Sequence, residues 1–392
     1  MTKRARTVTV TWPEANARRI ARQALSDASL SATSSAERGP AEAAGAMLGA
    51  HAQVLSAAEL SVALRLPGAV RTDVRAALWR DRTLVKTFGP RGTVHLLPAA
   101  ELPLWTGALS ALPTGAGPFG GDVRMTPGQT EEVLAAVADA LTGADLTIDE
   151  LSDAVIARTG PWAGDPVMPA FQGMWPRWRQ VMHLAGHRGV LSYGPDRGRK
   201  ATYTNPGTTP LPGPEALAAL VGRYLRAYGP ATPAHFAKWL ATAGGWANRL
   251  FAELAATGAI EEVTYEGEPA WVASGDTGFS APPARGVRLL PYFDAFTIAS
   301  QPRERLFPGP ASERALARGQ AGNYPVLLVD GTVAGVWHQR RSGRRIAVTV
   351  EPLAPLTAVT LKEVAAQAER VAEVLEGTAE LTVGPVTVGP HA

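Results

Sequence analysis

The sequence predicts an α+β protein, and two observations carry that reading. Helical patterning gives way to a short β-hairpin at three places spaced roughly 80–100 residues apart. After the third, runs rich in Val, Ile, Leu and Thr take over and only one more long helix is patterned. With 46% apolar residues, the chain of 392 can bury ample core, while its 40 Gly and 32 Pro imply many short elements broken by turns.

The first segment reads as helices over 15–25, 41–50, 57–66 and 72–80, with a Ser/Ala/Thr-rich loop around 28–38. Ser56 with Glu59 three residues on is a capping signal, and Pro67-Gly68 a stop. LVKTFGPRGTVHLL then gives strands 83–88 and 92–97 around Gly89-Pro90-Arg91-Gly92. The second segment has helices over 128–142 and 147–158, the latter opening at Thr147 with Glu150. An aromatic helix over 169–185 follows, kinked at Pro176. GVLSYG, the basic turn DRGRK and ATYT form its hairpin. The third has helices over 214–227, 232–241 and 245–256 and a hairpin turning at Glu266-Gly267. Helices followed by a hairpin is the winged-helix pattern, in which one helix faces a duplex and the hairpin is the wing.

The remainder reads as a β-rich, barrel-like domain. RLLPYFDAFTIAS, YPVLLVDGTVAGVWHQRR and RRIAVTVEPL are strand-like, Asp330-Gly331 and Ser342-Gly343 are hairpin signals, 361–375 is an amphipathic helix, and ELTVGPVTV is a last strand. The expected division is 1–115, 116–210 and 211–284 for three winged-helix units, and 285–392 for the β-rich domain.

The chain has no cysteine, which excludes disulfides, iron–sulfur clusters, zinc knuckles and thiol nucleophiles. The N-terminus has basic residues but no apolar core of a signal peptide, and no run approaches a membrane span, so a soluble cytoplasmic protein is expected. The net charge of +3 is modest but segregated. Basic side chains crowd 65–91, 175–203 and 281–350, whereas 131–153 and 351–380 are acidic. A basic face suits a polyanion such as nucleic acid, and a solvated surface with chance clustering is the competing reading.

No phosphate loop, His-Glu-x-x-His or Gly-x-Ser-x-Gly motif is present. His183 and His187 stand four apart, yet no third ligand is near in sequence, so no metal is expected. His51-Ala52-Gln53 falls where an Ala-rich helix stops and the next begins. In extended backbone, His51 and Gln53 lie on one side and could hold a water between them; the alternative is that they satisfy helix-end backbone groups. Arg91, Thr93 and His95 in the first hairpin are candidates to contact phosphate or brace that pair, or form an ordinary polar hairpin face. Arg177 and Arg179 could contact nucleic acid, while Trp175 and Trp178 are as easily core. Arg197, Arg199 and Lys200 form a basic turn of the sort that enters a groove. Arg340, Arg341 and Arg344 flank a hairpin turn and read either as phosphate ligands or as a solvated turn.

Four stretches in order give a resemblance over nearly the whole chain: GAHAQVLSAAELSVALRL, LVKTFGPRGTVHLLPAAELP, AYGPATPAHFAKWLA, and LLPYFDAFTIASQPRERLF with GVWHQRRSGRRIAVTV. The chain resembles the AlkZ/YcaQ family of DNA glycosylases. The resemblance implies three winged-helix units in a C-shape around DNA plus a small C-terminal β domain. It also implies hydrolysis of the N-glycosidic bond of alkylated purines, bulky adducts and crosslinks included. The family's catalytic pair is Gln-x-Gln or Gln-x-Asp; here Gln53 carries over directly and His51 by position. Neutral His can accept a proton or hold water as Gln does. The implied partner is double-stranded DNA containing alkylated purines, with no cofactor, in repair or self-resistance; the sequence shows no coiled coil, so a monomer is expected. A non-catalytic DNA-binding regulator on the same scaffold, and a protein scaffold without DNA affinity, are the rival readings.

Overall fold

The computed structural model describes residues 8–26, 38–113, 119–170 and 173–390. The chain is a mixed α+β structure with several separate sheets. It gathers into two units, Met1–Leu84 with Val221–Ala392, and Val85–Leu220. This grouping differs from the division expected from element order: the helices of the first segment fall in one unit and all but the first residue of its hairpin in the other. The stretch around 28–38 lies, except for its last residue, outside the described residues.

In the first unit, Trp12–Arg22 opens at Thr11, whose amide and hydroxyl both donate to Glu14 (2.8 and 2.6 Å). Its buried face carries Ala15 and Ile20 but also Arg19. A buried cation is tolerated only when hydrogen-bonded. Arg19 donates to the carbonyls of Tyr228 (2.8 Å), Pro230 (3.1 Å) and Gln301 (2.6 Å), in two segments far from it in sequence. Strand Thr9–Val10 adds in parallel to Ile260–Tyr265, which pairs antiparallel with Glu268–Ala273. The turn between them has positive φ at both Glu266 and Gly267, as a two-residue hairpin of this twist requires.

Helix Leu55–Ala63 starts one residue before Ser56, and no side chain caps it. Glu59 is buried and takes Arg75 instead (2.7 and 3.1 Å), because a carboxylate removed from water needs a cation more than a helix end needs a cap.

The C-terminal sheet runs Val287–Leu290, Val326–Val329, Thr332–Ser342, Arg345–Pro352, Thr378–Val383. The first four strands are antiparallel and the last joins in parallel, its crossover being helix Ala358–Val374. The order is linear, with Val287–Leu290 and Thr378–Val383 at the edges, so the sheet is open where a barrel-like form was expected. Gly331, at the Asp330-Gly331 turn, passes so close to helix Trp12–Arg22 that a Cβ would lie 2.6 Å from Asn16 Nδ2. Only the first three residues of the run RLLPYFDAFTIAS lie in a strand, Val287–Leu290; Pro291 ends it, and Asp294 caps a short helix, Ala295–Ala299.

In the second unit, Thr126 with Gln129 and Thr147 with Glu150 cap Pro127–Ala140 and Ile148–Thr159. Val133, Val137, Leu151, Val155, Trp178 and Leu191 form the centre of its core. The expected helix over 169–185 is absent. Pro166–Ala170 and Gly173–Pro176 form an antiparallel hairpin, followed by a 3-10 turn, Arg177–Val181, and a short helix, Met182–His187. Pro169 and Pro176 lack the amide hydrogens an interior helix needs, and Gly173 takes φ +100°. Ser192–Arg197 and Lys200–Thr204 pair around the basic turn as expected. Among the described residues no helix is long and apolar enough to cross a membrane.

Candidate active site and nucleic-acid interface

The turn that delivers His51 is set by glycine. Helix Pro40–Ala46 ends with Leu48 N donating to Gly45 O (3.0 Å) and Gly49 N to Ala44 O (2.9 Å), Gly49 taking φ +92°. The chain leaves as strand Ala50–His51. Extended backbone stops there: Gln53 falls in a bend before helix Leu55–Ala63, so the alternation expected to place both side chains on one side does not continue to it. His51 is 8% exposed and Gln53 is exposed. The chain thus passes from interior to surface between the two residues. Backbone amides close the first helix, and no side chain caps the second.

The His51 ring lies against Phe293, with centroids 4.5 Å apart and planes at 35°. Phe293 is held in the left-handed region (φ +54°), and its amide donates to Gly322 O (2.9 Å). Gly322, at φ +95°, is a tight position: a Cβ would sit 3.1 Å from the Phe293 ring. The next residue, Asp294, is fully buried and receives both Arg65 Nη1 (2.8 Å) and Nη2 (2.9 Å), Ser61 Oγ (2.5 Å) and the Phe296 amide (3.0 Å). Arg65 was counted in sequence with the basic surface. It is instead a core cation locked to Asp294, with both side chains at 0% exposure. This Ser61–Arg65–Asp294 cluster fixes the loop that presents Phe293 to His51. Sequence reasoning missed it, although a single Asp inside YFDAF and a single Arg inside ALRLPG, each amid apolar neighbours, are the signal of a buried pair.

The first hairpin is braced inward. Arg91 takes φ +62° in the turn, and Thr93 Oγ1 donates to Pro90 O (3.0 Å). His95 is 4% exposed, with Nδ1 2.9 Å from Thr93 O and its ring packed on Gly89. His95 therefore supports the turn and presents no surface to phosphate. Burial, aided by nearby His183, pushes His187 down to about 4, and its Nε2 lies 3.2 Å from Gly89 O, a core role. No group of three metal-ligating side chains exists among the described residues.

Arg177 is also structural rather than free: it donates to the carbonyls of Asp122 and Val123 (2.8 Å each) and reaches Asp165 (3.3 Å). Trp178 is core and Trp175 is 43% exposed, with Arg179 stacked 4.0 Å from its ring. In the basic turn, Arg197 pairs with Glu150 (2.7 Å) and the Asp145 carbonyl, and Lys200 with Asp149 (2.6 Å). These pairs are exposed and therefore exchangeable for phosphate. Arg199 is exposed with no partner among the described residues. The same holds for Arg340 and Arg344, whereas Arg341 donates to Leu375 O (2.6 Å).

Comparison with known proteins places the chain among the DNA glycosylases, hydrolases of N-glycosyl bonds. It belongs to the AlkZ-like DNA glycosylase family, whose model matches residues 44–374 and so spans His51, Gln53 and the whole Phe293 support. A curated relative, an interstrand DNA cross-link repair glycosylase of Streptomyces sahachiroi, is 32% identical over 311 residues, covering 75% of this chain and 80% of its own. The solved structure of the Streptomyces sahachiroi DNA glycosylase AlkZ is similar over 96% of this chain and 100% of its own, with TM-score 0.78 and 29% identity.

Proposed function

We propose that the chain is a monofunctional glycosylase that removes alkylated purines from double-stranded DNA, N7-alkylguanine foremost, with His51 and Gln53 as its catalytic pair. The observation that carries this reading is the placement of the two residues: a buried imidazole against the Phe293 ring, two residues before an exposed amide, inside the stretch matched by the family. An N7-alkylated guanine nucleoside is already cationic, so its base leaves neutral when the C1′–N9 bond breaks, and no general acid is needed. What the enzyme must supply is an oriented water and tolerance of the oxocarbenium charge. The Gln53 amide oxygen accepts a hydrogen bond from the water. The water oxygen bonds to C1′, and its proton passes to neutral His51.

The proposed range extends to bulky N7 adducts and to crosslinks, the latter supported by the relative's name as an interstrand cross-link repair glycosylase. Exposure of Gln53 suits that range, since a lesion tied to the opposite strand cannot enter a closed pocket. The helix–hairpin segments act as winged-helix modules, with Arg199, Arg340 and Arg344 as phosphate contacts. A monomer acting in the bacterial cytoplasm, in repair or self-protection, completes the proposal.

The test is to incubate duplexes carrying 7-methylguanine or an N7 crosslink with the protein and analyse the products. Free base and an abasic site that breaks only on later alkaline treatment are expected. Strand cleavage by the protein alone would refute monofunctional chemistry; sequence-specific footprints with no free base would favour a regulator.

A further inference from the structure

Met174 (49% exposed) and Trp175 (43%) are the exposed large apolar side chains of the second unit among the described residues. Both stand on the Gly173–Pro176 strand of the hairpin that replaced the expected helix. Successive strand residues face opposite sides, so each leaves its own apolar surface in water, a hydration cost that a core position would have avoided. The side chain that covers part of Trp175 is a cation: the Arg179 guanidinium lies 4.0 Å from the indole centroid. Among the described residues, that cation has no counter-charge. Its Nε is buried without a hydrogen-bond partner among the described residues. The ionisable groups acting on it are the phenols of Tyr203 and Tyr193, and burial holds it below the usual arginine range. Its neighbour Arg177, by contrast, is satisfied by two carbonyls and Asp165.

Tyr193 and Tyr203 lie with ring centroids 5.0 Å apart, and Lys86 Nζ stands 4.3 Å over the Tyr193 ring. Tyr203 is 7% exposed and Tyr193 packs on the same core, so Trp175 is the exposed ring here. An exposed ring with a cation against it is the surface chemistry that holds an unpaired nucleotide, the ring taking the base and the cation the backbone.

We infer that Trp175, with Arg179 against the indole, forms a stacking site for a single nucleotide whose base has lost its neighbour, the base lying on Trp175 and its phosphate meeting Arg179. Such a nucleotide exists wherever a base has been removed or displaced. The site deepens the proposed glycosylase reading and rests on DNA being the substrate. It adds residues that neither the catalytic pair nor the basic turns include, and it favours damaged or product DNA over intact duplex.

The experiment compares wild type with Trp175→Ala, Trp175→Phe and Arg179→Gln by fluorescence anisotropy. The probes are an intact duplex and the same duplex with a tetrahydrofuran abasic analogue opposite 2-aminopurine. Wild type is expected to bind the abasic duplex more tightly and to quench 2-aminopurine. Trp175→Ala weakens abasic binding about 5- to 150-fold, the range for losing one stacked base, and abolishes the quenching. Trp175→Phe keeps most of both, which separates stacking from simple misfolding, and thermal melting of each variant checks the fold directly. Arg179→Gln weakens abasic binding and flattens its salt dependence. Equal abasic affinity and equal quenching in wild type and Trp175→Ala overturn the inference while leaving the glycosylase reading intact. Absence of DNA binding by wild type defeats both. If Trp175→Ala instead abolishes a dimer seen by sedimentation and leaves 2-aminopurine quenching unchanged, the patch is a protein contact and the inference falls.

Discussion

Asp294→Asn is the substitution whose cost follows most directly from the geometry. The carboxylate is fully buried and takes four hydrogen bonds, from Arg65 Nη1 and Nη2, Ser61 Oγ and the Phe296 amide. An amide of the same shape keeps one oxygen but turns an NH2 toward a donor, so at least one bond becomes a donor–donor clash. It also leaves the Arg65 charge, at 0% exposure, without an anion. Breaking one side of a buried pair costs about 3–5 kcal/mol. The exposed pair Arg158–Asp139 (41% and 72% exposed) supplies the control, where Asp139→Asn costs about 0–1 kcal/mol. Urea unfolding of the three proteins, followed by tryptophan fluorescence, measures the difference. The double variant Arg65→Met/Asp294→Leu restores most of the stability, since neither charge remains to be left alone. It does not restore full glycosylase rate, because the side chains that held the Phe293 loop are gone. Equal stability losses for Asp294→Asn and Asp139→Asn would refute the assignment of this cluster as the buried support of the site.

Phe293→Leu keeps an apolar side chain but removes the flat ring against His51, and single-turnover base release should fall about 10- to 100-fold, with little change in DNA affinity. Burial, with Arg19 and Lys238 nearby, pushes His235 down to about 4 from its usual 6.5. Its stability contribution is fully present above pH 6.5 and is lost as pH falls toward 4, by at most about 3 kcal/mol. His235→Gln should flatten that pH dependence in thermal melts. Arg199→Ala, Arg340→Ala and Arg344→Ala should each weaken DNA binding and lower its salt slope by about 0.9. Arg177→Ala should instead lower the melting temperature, since its bonds to the Asp122 and Val123 carbonyls hold the fold.

The sequence carried the order of helices and hairpins well where local chemistry decides the outcome. Thr147 with Glu150, the Glu266-Gly267 turn and the Asp330-Gly331 turn are signals of this kind, because a cap or a left-handed pair acts over a few residues. It failed over 169–185, where aromatic helical spacing outweighed two prolines and a glycine that forbid a continuous helix. It also failed wherever charge had a distant partner. Arg65 and Arg177 read as surface cations because Asp294 lies 229 residues from Arg65 and the Asp122 carbonyl 55 residues from Arg177. The position of His51-Ala52-Gln53 at a helix junction was legible, but the ring beneath His51 was not. Phe293 reaches it through a fold-wide closure that no local pattern encodes.

The most direct test of the proposed chemistry is the single-turnover release of 7-methylguanine from duplex DNA by wild type, His51→Ala and Gln53→Ala. If the pair orients and deprotonates the attacking water, wild type releases the base and each variant is slower by about 100-fold or more, while still binding the duplex. Release by His51→Ala and Gln53→Ala at the wild-type rate would contradict the assignment of the reaction to these two residues.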